Sequence, residues 1–255
     1  MLAVKRTMAI LQALSAADGL GVMDLSRRLV IHKADVSRIL SALEELHYVV
    51  RDPETGRYHL GYKFVAMALQ HVDRVRLEDV LDPVMREVAK ATGELVQFAI
   101  LQQEELIFIH KVEGEKPLRV ASMLGMIAPL HATAVGKVWL ASLEPSRARA
   151  LLTERGMPKI TEHTITDLET LMAELDQVRQ QGYALSREEI NPSVVGLAVP
   201  VFDASDRVMG GLVVTLPVFE ASPERLAEVG EVAKAAAHRL SEQLRLLPAS
   251  STSPA

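Results

Sequence analysis

Apolar residues recur every three or four positions through most of the first fifty residues, and this spacing predicts helices. We expect helices over residues 4–17, 22–29 and 34–46, the last with an apolar stripe that ends at Leu46. The spacing then shortens, so residues 48–50 and 57–60 predict two strands around the turn-forming residues 52–56. Three helices followed by a hairpin predict a winged helix-turn-helix domain over residues 1–61.

Beyond residue 61 the pattern becomes mixed. Residues 62–76 predict a linker helix, and helical spacing recurs at 77–92, 133–143, 145–155, 167–181 and 223–246. Alternating or continuous apolar runs predict strands at 95–101, 106–112, 118–122, 194–202 and 208–216. Strands and helices that occur in blocks predict an antiparallel α/β domain over residues 77–247, and the fold class is therefore α+β. The Pro- and Ser-rich residues 248–255 predict a disordered tail.

Composition limits the kind of protein this can be. The 255 residues suffice for two domains, and a hydrophobic fraction of 49% allows each domain its own core. The absence of cysteine excludes disulfides, thiolate metal sites and a cysteine nucleophile. The first residues do not resemble a signal peptide, and no apolar run approaches the roughly 18 residues of a membrane span. We therefore expect a cytoplasmic protein with no membrane partner.

The net charge of −5 does not by itself suggest a nucleic-acid partner. Residues 1–62, however, hold eight basic and seven acidic residues, a net +1, so the negative charge belongs to the second domain. DNA binding depends on where the basic groups lie and not on their total. The weak basicity predicts modest non-specific affinity and hence a need for a second subunit.

The third predicted helix is the candidate for reading DNA, because a helix held across its neighbour can enter the major groove. Arg38 could read guanine through two hydrogen bonds, and Asp35 could accept one from a cytosine amino group. The predicted DNA-binding residues of the helix and the wing are Lys33, Asp35, Ser37, Arg38, Arg51 and Arg57. The alternative is that these are ordinary surface residues of a three-helix packing module.

Four stretches of the sequence, in their order along the chain, resemble the IclR family of bacterial regulators. Residues 31–44 (IHKADVSRILSALE) and 51–61 (RDPETGRYHLG) resemble the DNA-binding domain of that family. Residues 129–137 (PLHATAVGK) and 182–189 (GYALSREE) are similar to the two signature stretches of its effector domain. The resemblance extends from about residue 4 to residue 246.

The resemblance implies a dimer formed through the N-terminal domains, or a dimer of dimers. It also implies a GAF-like effector domain that senses a metabolite, and control of a nearby catabolic operon. Carried over position by position, the effector site would comprise Ala134, Val135, Ser186, Glu189, Gly196, Leu197, Val213 and Thr215. Ala134 and Val135 would offer backbone N–H groups at a helix start, where anions bind. The alternative for the apolar strand residues is an ordinary place in the core.

The chain departs from the family pattern at both sites. The family usually has Gly-Leu-Pro-Lys-Ser-Thr before the recognition helix, whereas residues 30–35 here are VIHKAD, so two hydroxyl groups are lost. In the effector site, Gly196 and Val213 stand where carboxylate-sensing members often carry Cys and Ser. Because these changes make the pocket roomier and less polar, we expect an effector with an apolar or aromatic body and at most one carboxylate.

The leading hypothesis is a ligand-responsive repressor or activator that binds double-stranded operator DNA and uses no cofactor. A small enzyme with an accessory winged domain is one alternative, but the sequence offers no nucleophile–base pair or metal spacing. Gly136-Lys137 fails as a phosphate loop, because His131 and Val138 stand where that motif needs Gly and Ser or Thr. The other alternative is a structural DNA-binding protein whose second domain is filled by side chains.

Overall fold

The computed structural model describes residues 2–116 and 124–246. The chain divides into two compact units, one that ends at Arg74 and one that begins at Val75. Each unit has a hydrophobic core of its own, as the composition predicts.

The first unit is a three-helix domain with a hairpin and a fourth helix. Its elements are α1 Leu2–Ser15, α2 Val22–Leu29, α3 Lys33–Glu45, β1 Val49–Arg51, β2 Tyr58–Leu60 and α4 Tyr62–Val75. The two strands pair antiparallel, with Val49 opposite Leu60. This arrangement confirms the predicted winged helix-turn-helix fold. The helix predicted over residues 62–76 is α4, whose residues as far as Arg74 group with the first unit.

The core of the first unit lies where its first three helices meet the hairpin. Ile10 of α1, Leu25 of α2 and Leu40 of α3 are fully buried, at the spacing expected for one apolar face per helix. The rings of Tyr48 and Phe64 lie 4.8 Å apart between centroids, so the start of α4 packs beside the start of β1. The recognition helix is thus fixed in place by its buried face.

The second unit is a five-stranded antiparallel sheet with helices on both faces. Its helices are α5 Leu77–Thr92, α6 Ala134–Ser142, α7 Pro145–Arg155, α8 Leu168–Gln181 and α9 Pro223–Arg245. Its strands are β3 Leu95–Gln102, β4 Glu105–Val112, β5 Ala184–Arg187, β6 Val194–Phe202 and β7 Val208–Pro217. The spatial order is β4-β3-β7-β6-β5, and every neighbouring pair is antiparallel. This confirms the α+β class.

Alternation along the strands separates two cores. On one face Leu197 of β6 and Val214 of β7 pack with apolar residues of α5 and α9. On the other face Ala198 and Val213, each one residue away, pack with α6, α7 and α8. Because successive side chains of a strand point to opposite faces, both cores come from the same apolar runs.

The predicted and observed α-helices and strands agree within two residues at each end, with one omission. The omission is β5, Ala184–Arg187, a four-residue edge strand whose conformation depends on pairing with β6 more than on its own composition. A three-residue 3₁₀ helix, Val218–Glu220, is not predicted from the sequence either. The strand predicted over residues 118–122 and the tail predicted over residues 248–255 lie outside the described residues.

The end of α2 carries backbone strain at Val30. This residue follows the helix in the left-handed conformation, with φ 54° and ψ 44°, where glycine is the usual residue. Its side chain is 92% exposed, so no burial offsets the crowding of Cβ against the backbone. The position coincides with the Gly that the family pattern places before the recognition helix.

We predict that Val30→Gly stabilises the protein by about 0.5–1 kcal/mol, because the left-handed strain outweighs the added freedom of glycine in the unfolded chain. Urea denaturation followed by circular dichroism measures the free energy of unfolding. Val30→Ala is the matched control, since it removes the exposed branch but keeps Cβ. If both substitutions raise the free energy of unfolding equally, the gain comes from removing the exposed valine side chain and not from relief of backbone strain.

Candidate functional site

Helix α3 turns a polar face outward because its apolar face is buried. The His32 Nδ1 atom accepts a hydrogen bond from the Ala34 N–H at 3.3 Å, so His32 caps the helix where Ser or Thr is more usual. Lys33, Ser37 and Arg38 are exposed near this N-terminus. A helix that lies in a major groove contacts base edges and phosphates from such positions.

Asp35, which is also predicted to face DNA, is bound within the protein. Its Oδ2 atom accepts a hydrogen bond from Arg6 Nη1 of α1 at 2.7 Å, and its Oδ1 atom accepts one from Arg38 Nη2. Each carboxylate oxygen therefore already accepts a hydrogen bond from an arginine, and the predicted cytosine contact would have to use one of the remaining lone pairs. Sequence reasoning missed Arg6, because its partner lies 29 residues further along the chain.

The wing places its two predicted arginines on the surface. The Asp52 carboxylate accepts hydrogen bonds from the N–H groups of Glu54 and Thr55 at 2.8 and 2.9 Å, which closes the turn. These backbone N–H groups hold the pKa of Asp52 below its ordinary value. Arg51 lies 5.7 Å from the Tyr58 ring centroid, and Arg57 Nη1 donates to the Gly19 carbonyl at 3.3 Å. Both arginines are exposed beside the turn.

A cavity of about 460 Å³ lies in the second unit at the start of α6. Most of the predicted effector residues meet there: Ala134, Val135, Ser186, Gly196, Val213 and Thr215. The remaining described walls are formed by Gln97, Phe108, Met126, Ala128, Pro129, Thr133, Ile190, Asn191 and Val194. None of these described lining residues carries a charge.

The N-terminus of α6 forms one wall of this cavity. The Thr133 hydroxyl accepts a hydrogen bond from the Gly136 N–H at 3.1 Å and donates one to the Pro129 carbonyl at 2.8 Å. Within the described residues, the N–H groups of Ala134 and Val135 have no acceptor. A helix start leaves such N–H groups unpaired, and they favour an anionic group.

The sheet forms the opposite wall. Ser186, Gly196 and Thr215 are register partners in a row across β5, β6 and β7. The Ser186 hydroxyl donates to the Ala132 carbonyl at 2.6 Å, which ties the second signature stretch to the first. A Cβ atom added at Gly196 would lie 3.7 Å from the Ala134 Cβ, so this glycine widens the cavity between sheet and helix.

Two predicted effector residues do not line the cavity. Leu197 lies on the opposite face of β6 and packs in the core with α5 and α9, because it is one residue from Gly196 in an alternating strand. Glu189 belongs to the pocket loop, residues 188–193, but its side chain is buried and its carboxylate faces Lys137. The structure therefore assigns both residues to the framework.

Lys137 is a fully buried cation whose three acceptors come from different elements. Its Nζ atom lies 2.5 Å from Glu189 Oε1, 2.8 Å from Glu174 Oε1 of α8 and 3.2 Å from the Leu185 carbonyl of β5. An ammonium group has three N–H donors, and all three are used. Sequence reasoning missed this role, although a lysine among the apolar residues of α6 could have indicated a buried ion pair.

The hydrogen bonds of the buried Glu189 carboxylate satisfy only one of its two oxygens. Its Oε2 atom is buried and has no hydrogen-bond partner among the described residues. Burial raises the pKa of Glu189 above its ordinary value, and the ammonium group of Lys137 acts in the opposite direction. The backbone around Glu189 is also held, because the Thr164 hydroxyl donates to its carbonyl at 2.7 Å.

Neither His131 nor a second cavity near α6 belongs to the predicted effector site. His131 is buried and its Nε2 atom lies 3.0 Å from the Pro158 carbonyl, and burial lowers its pKa, so it packs beneath the signature loop. A larger cavity of about 780 Å³ lies at the far end of α6, beside Trp139, Phe202 and Met209. None of the predicted effector residues lines it.

In residues 2–116 and 124–246 no group of three or more His, Asp or Glu side chains could hold a metal ion. The same residues contain no helix that is long and apolar enough to cross a membrane.

Comparisons with known proteins agree with this architecture. Residues 3–53 match the family described as the IclR helix-turn-helix domain, and residues 69–242 match the bacterial transcriptional regulator IclR C-terminal domain. The chain is 36% identical over 244 residues to the HTH-type transcriptional regulator KdgR of Escherichia coli (strain K12), covering 94% of this chain and 92% of that protein.

Solved structures show the same fold. An IclR-type regulator from Silicibacter sp. TM1040 is 26% identical with a TM-score of 0.83, over 99% of this chain and 100% of that one. An IclR homologue from Microbacterium hydrocarbonoxydans, complexed with 4-hydroxybenzoate, has a TM-score of 0.80 at 22% identity, over 96% of this chain and 100% of that one. At this identity the second likeness concerns the fold alone.

The winged helix-turn-helix and the separate pocket-bearing domain define a DNA-binding transcriptional regulator with an effector-binding domain. The chain belongs to the IclR family of bacterial transcriptional regulators. Its curated relatives are named as regulators and repressors, which excludes the enzyme alternative.

We predict that Lys137→Met lowers the free energy of unfolding by about 3–5 kcal/mol at pH 7, because it leaves the buried Glu189 carboxylate without a cation. The loss should shrink as the pH falls toward 5. In the variant the folded-state pKa of Glu189 lies above its unfolded value, so protonation removes the destabilisation at low pH. Urea denaturation followed by the fluorescence of Trp139, the single tryptophan, measures both effects.

Two comparisons make this test specific. Lys137→Met combined with Glu189→Leu should recover part of the lost stability, since no buried charge then remains at that pair. Lys159→Met removes an exposed partner of Glu162 and should cost less than about 0.5 kcal/mol. A loss below about 1 kcal/mol for Lys137→Met would show that the buried pair is not the constraint inferred above.

Proposed function

We propose that a small-molecule effector binds the cavity at the start of α6 and thereby changes the affinity of a homodimer, or dimer of dimers, for operator DNA. The observation that carries the proposal is the meeting of both signature stretches at one cavity, through Ala134 and Ser186. An effector that prefers one arrangement of the subunits shifts the DNA-bound population by its difference in affinity for the two arrangements.

The chemistry of the lining favours an apolar or aromatic effector with a single carboxylate. Phe108, Met126 and Val213 supply apolar walls, whereas the described lining offers no cationic side chain. Anion recognition therefore falls to the N–H groups of Ala134 and Val135, which suit one carboxylate. The 4-hydroxybenzoate complex of the Microbacterium homologue is consistent with such a ligand in this fold.

On the DNA side, we propose that α3 enters the major groove and the wing follows the adjacent backbone. Lys33, Ser37 and Arg38 would face the groove, and Arg51 and Arg57 would contact phosphate. We assign Asp35 no direct base contact in this proposal, because each of its oxygens already accepts a hydrogen bond from an arginine. Such a regulator acts where the DNA is, in the cytoplasm.

The first unit also carries apolar surface suited to pairing two copies. Exposed apolar side chains occur on α1 at Leu2, Val4 and Met8 and on α4 at Val65, Leu69 and Val72. Apolar surface of this kind marks interaction sites. Two copies would present two recognition helices to half-sites separated by one turn of DNA or a multiple, and would double the weak positive charge of residues 1–62.

A calorimetric binding panel on the full-length protein tests the effector class. We expect saturable binding of benzoate-type monocarboxylates and weak or no binding of pyruvate and glyoxylate. Binding confined to the short polar acids would contradict the proposed pocket chemistry. Dissociation constants for each acid, measured at one salt concentration, are the readout.

Gly196→Val should weaken binding of the best aromatic acid by about tenfold or more, since the new side chain occupies the space between sheet and α6. Gly230→Ala is the matched control: its added Cβ also meets only ordinary contacts, but against Leu197 and Tyr183, away from the cavity. If Gly196→Val binds the acid as tightly as the unchanged protein, the ligand occupies another site.

A further inference from the structure

The carboxylate of Asp35 lies between two guanidinium groups at the start of the recognition helix. Arg6 of α1 contacts one oxygen at 2.7 Å, and Arg38, one turn further along α3, contacts the other. The three groups carry a net charge of +1. The cluster as a whole therefore still attracts DNA phosphate, although the carboxylate lowers its charge from +2 to +1.

The three side chains differ in exposure in a way that gives each a different role. The side chains of Asp35 and Arg6 are 26% and 34% exposed, whereas that of Arg38 is 78% exposed. Asp35 and Arg6 thus belong to the junction of α1 and α3, and Arg38 projects beyond it. Only Arg38 Nη2 is engaged by Asp35, so most of the five N–H donors of this guanidinium face solvent.

An arginine anchored in this manner differs from a free surface arginine. A free side chain samples many rotamers, and holding it in one geometry on binding costs entropy. The carboxylate fixes one edge of the guanidinium and leaves the donors that a guanine O6 and N7 pair can accept. Arg6 in turn holds the carboxylate in place from the neighbouring helix.

We propose that Arg6 is a positioning residue for DNA specificity: through Asp35 it orients Arg38 to read one guanine in the major groove. Arg6 itself lies on α1, outside the recognition helix and the wing. The inference rests on the proposed entry of α3 into the groove and adds a residue that does not read a base.

The test is selection of double-stranded DNA from a randomised library by the full-length protein, followed by sequencing. The unchanged protein should enrich a site with guanine at the position read by Arg38. Arg38→Ala should abolish that preference at that position only. Arg6→Met should reduce the guanine preference at the same position by at least about fivefold, within the range that one bidentate contact supplies.

Variants that preserve or mimic the interaction separate positioning from folding. Arg6→Lys should retain most of the preference, because a lysine can still reach the carboxylate as a point charge. Asp35→Asn should behave like Arg6→Met, and Arg6→Met should have no further effect on that position in the Arg38→Ala background. Thermal melting by circular dichroism establishes that each variant is folded.

Arg28→Met is the matched control, since Arg28 is exposed on α2 and the arginines that pair with Asp35 are Arg6 and Arg38. It should weaken binding to all sequences alike, as expected for loss of a positive charge.

The outcomes distinguish the inference from the proposed function. A uniform loss of affinity for Arg6→Met, with the base preference intact, would overturn the positioning role while leaving the regulator in place. An Arg38→Ala variant with unchanged preferences would overturn it as well. If the unchanged protein enriches no sequence at all, the proposed entry of α3 into the groove fails, and the inference falls with it.

Discussion

The buried ammonium group of Lys137 is the constraint on which the ligand pocket depends. A cation with no exposed surface is tolerated only when every donor has a partner, and here the partners come from α8, β5 and the pocket loop. A shift of α6 along its axis would unpair the charge. The start of α6, with its free N–H groups, is thereby held opposite the row formed by Ser186, Gly196 and Thr215.

The pattern of apolar residues predicted the fold closely because that pattern is itself the cause of the fold. The runs at 194–202 and 208–216 supply two cores by alternation, and the same alternation separates Gly196 in the pocket from Leu197 in the core. Alternation along the strand could therefore have predicted from the sequence that Leu197 lies in the core. The position of Glu189 could not be predicted in this way, because its role depends on Lys137, which lies 52 residues away. The pairing of Arg6 with Asp35 could not be predicted either, because it arises only when α1 packs on α3.

The departures from the family pattern before the recognition helix have separate physical consequences. Val30 keeps the left-handed turn that glycine normally occupies and strains it. Asp35 replaces a hydroxyl with a charge, and two arginines neutralise that charge within the protein. Lys33, Arg38, Arg51 and Arg57 are exposed on the helix and the wing, so the surface that would meet DNA carries basic groups beside Asp35.

Occupation of the α6 cavity should alter DNA binding by the first unit. Fluorescence anisotropy of a labelled duplex carrying the selected operator measures this directly, with the full-length protein titrated at one salt concentration with and without a saturating aromatic monocarboxylate. We expect the acid to change the dissociation constant for DNA by about fivefold or more, in the range of ordinary allosteric coupling. Equal dissociation constants under conditions where the acid fully occupies the cavity would contradict it.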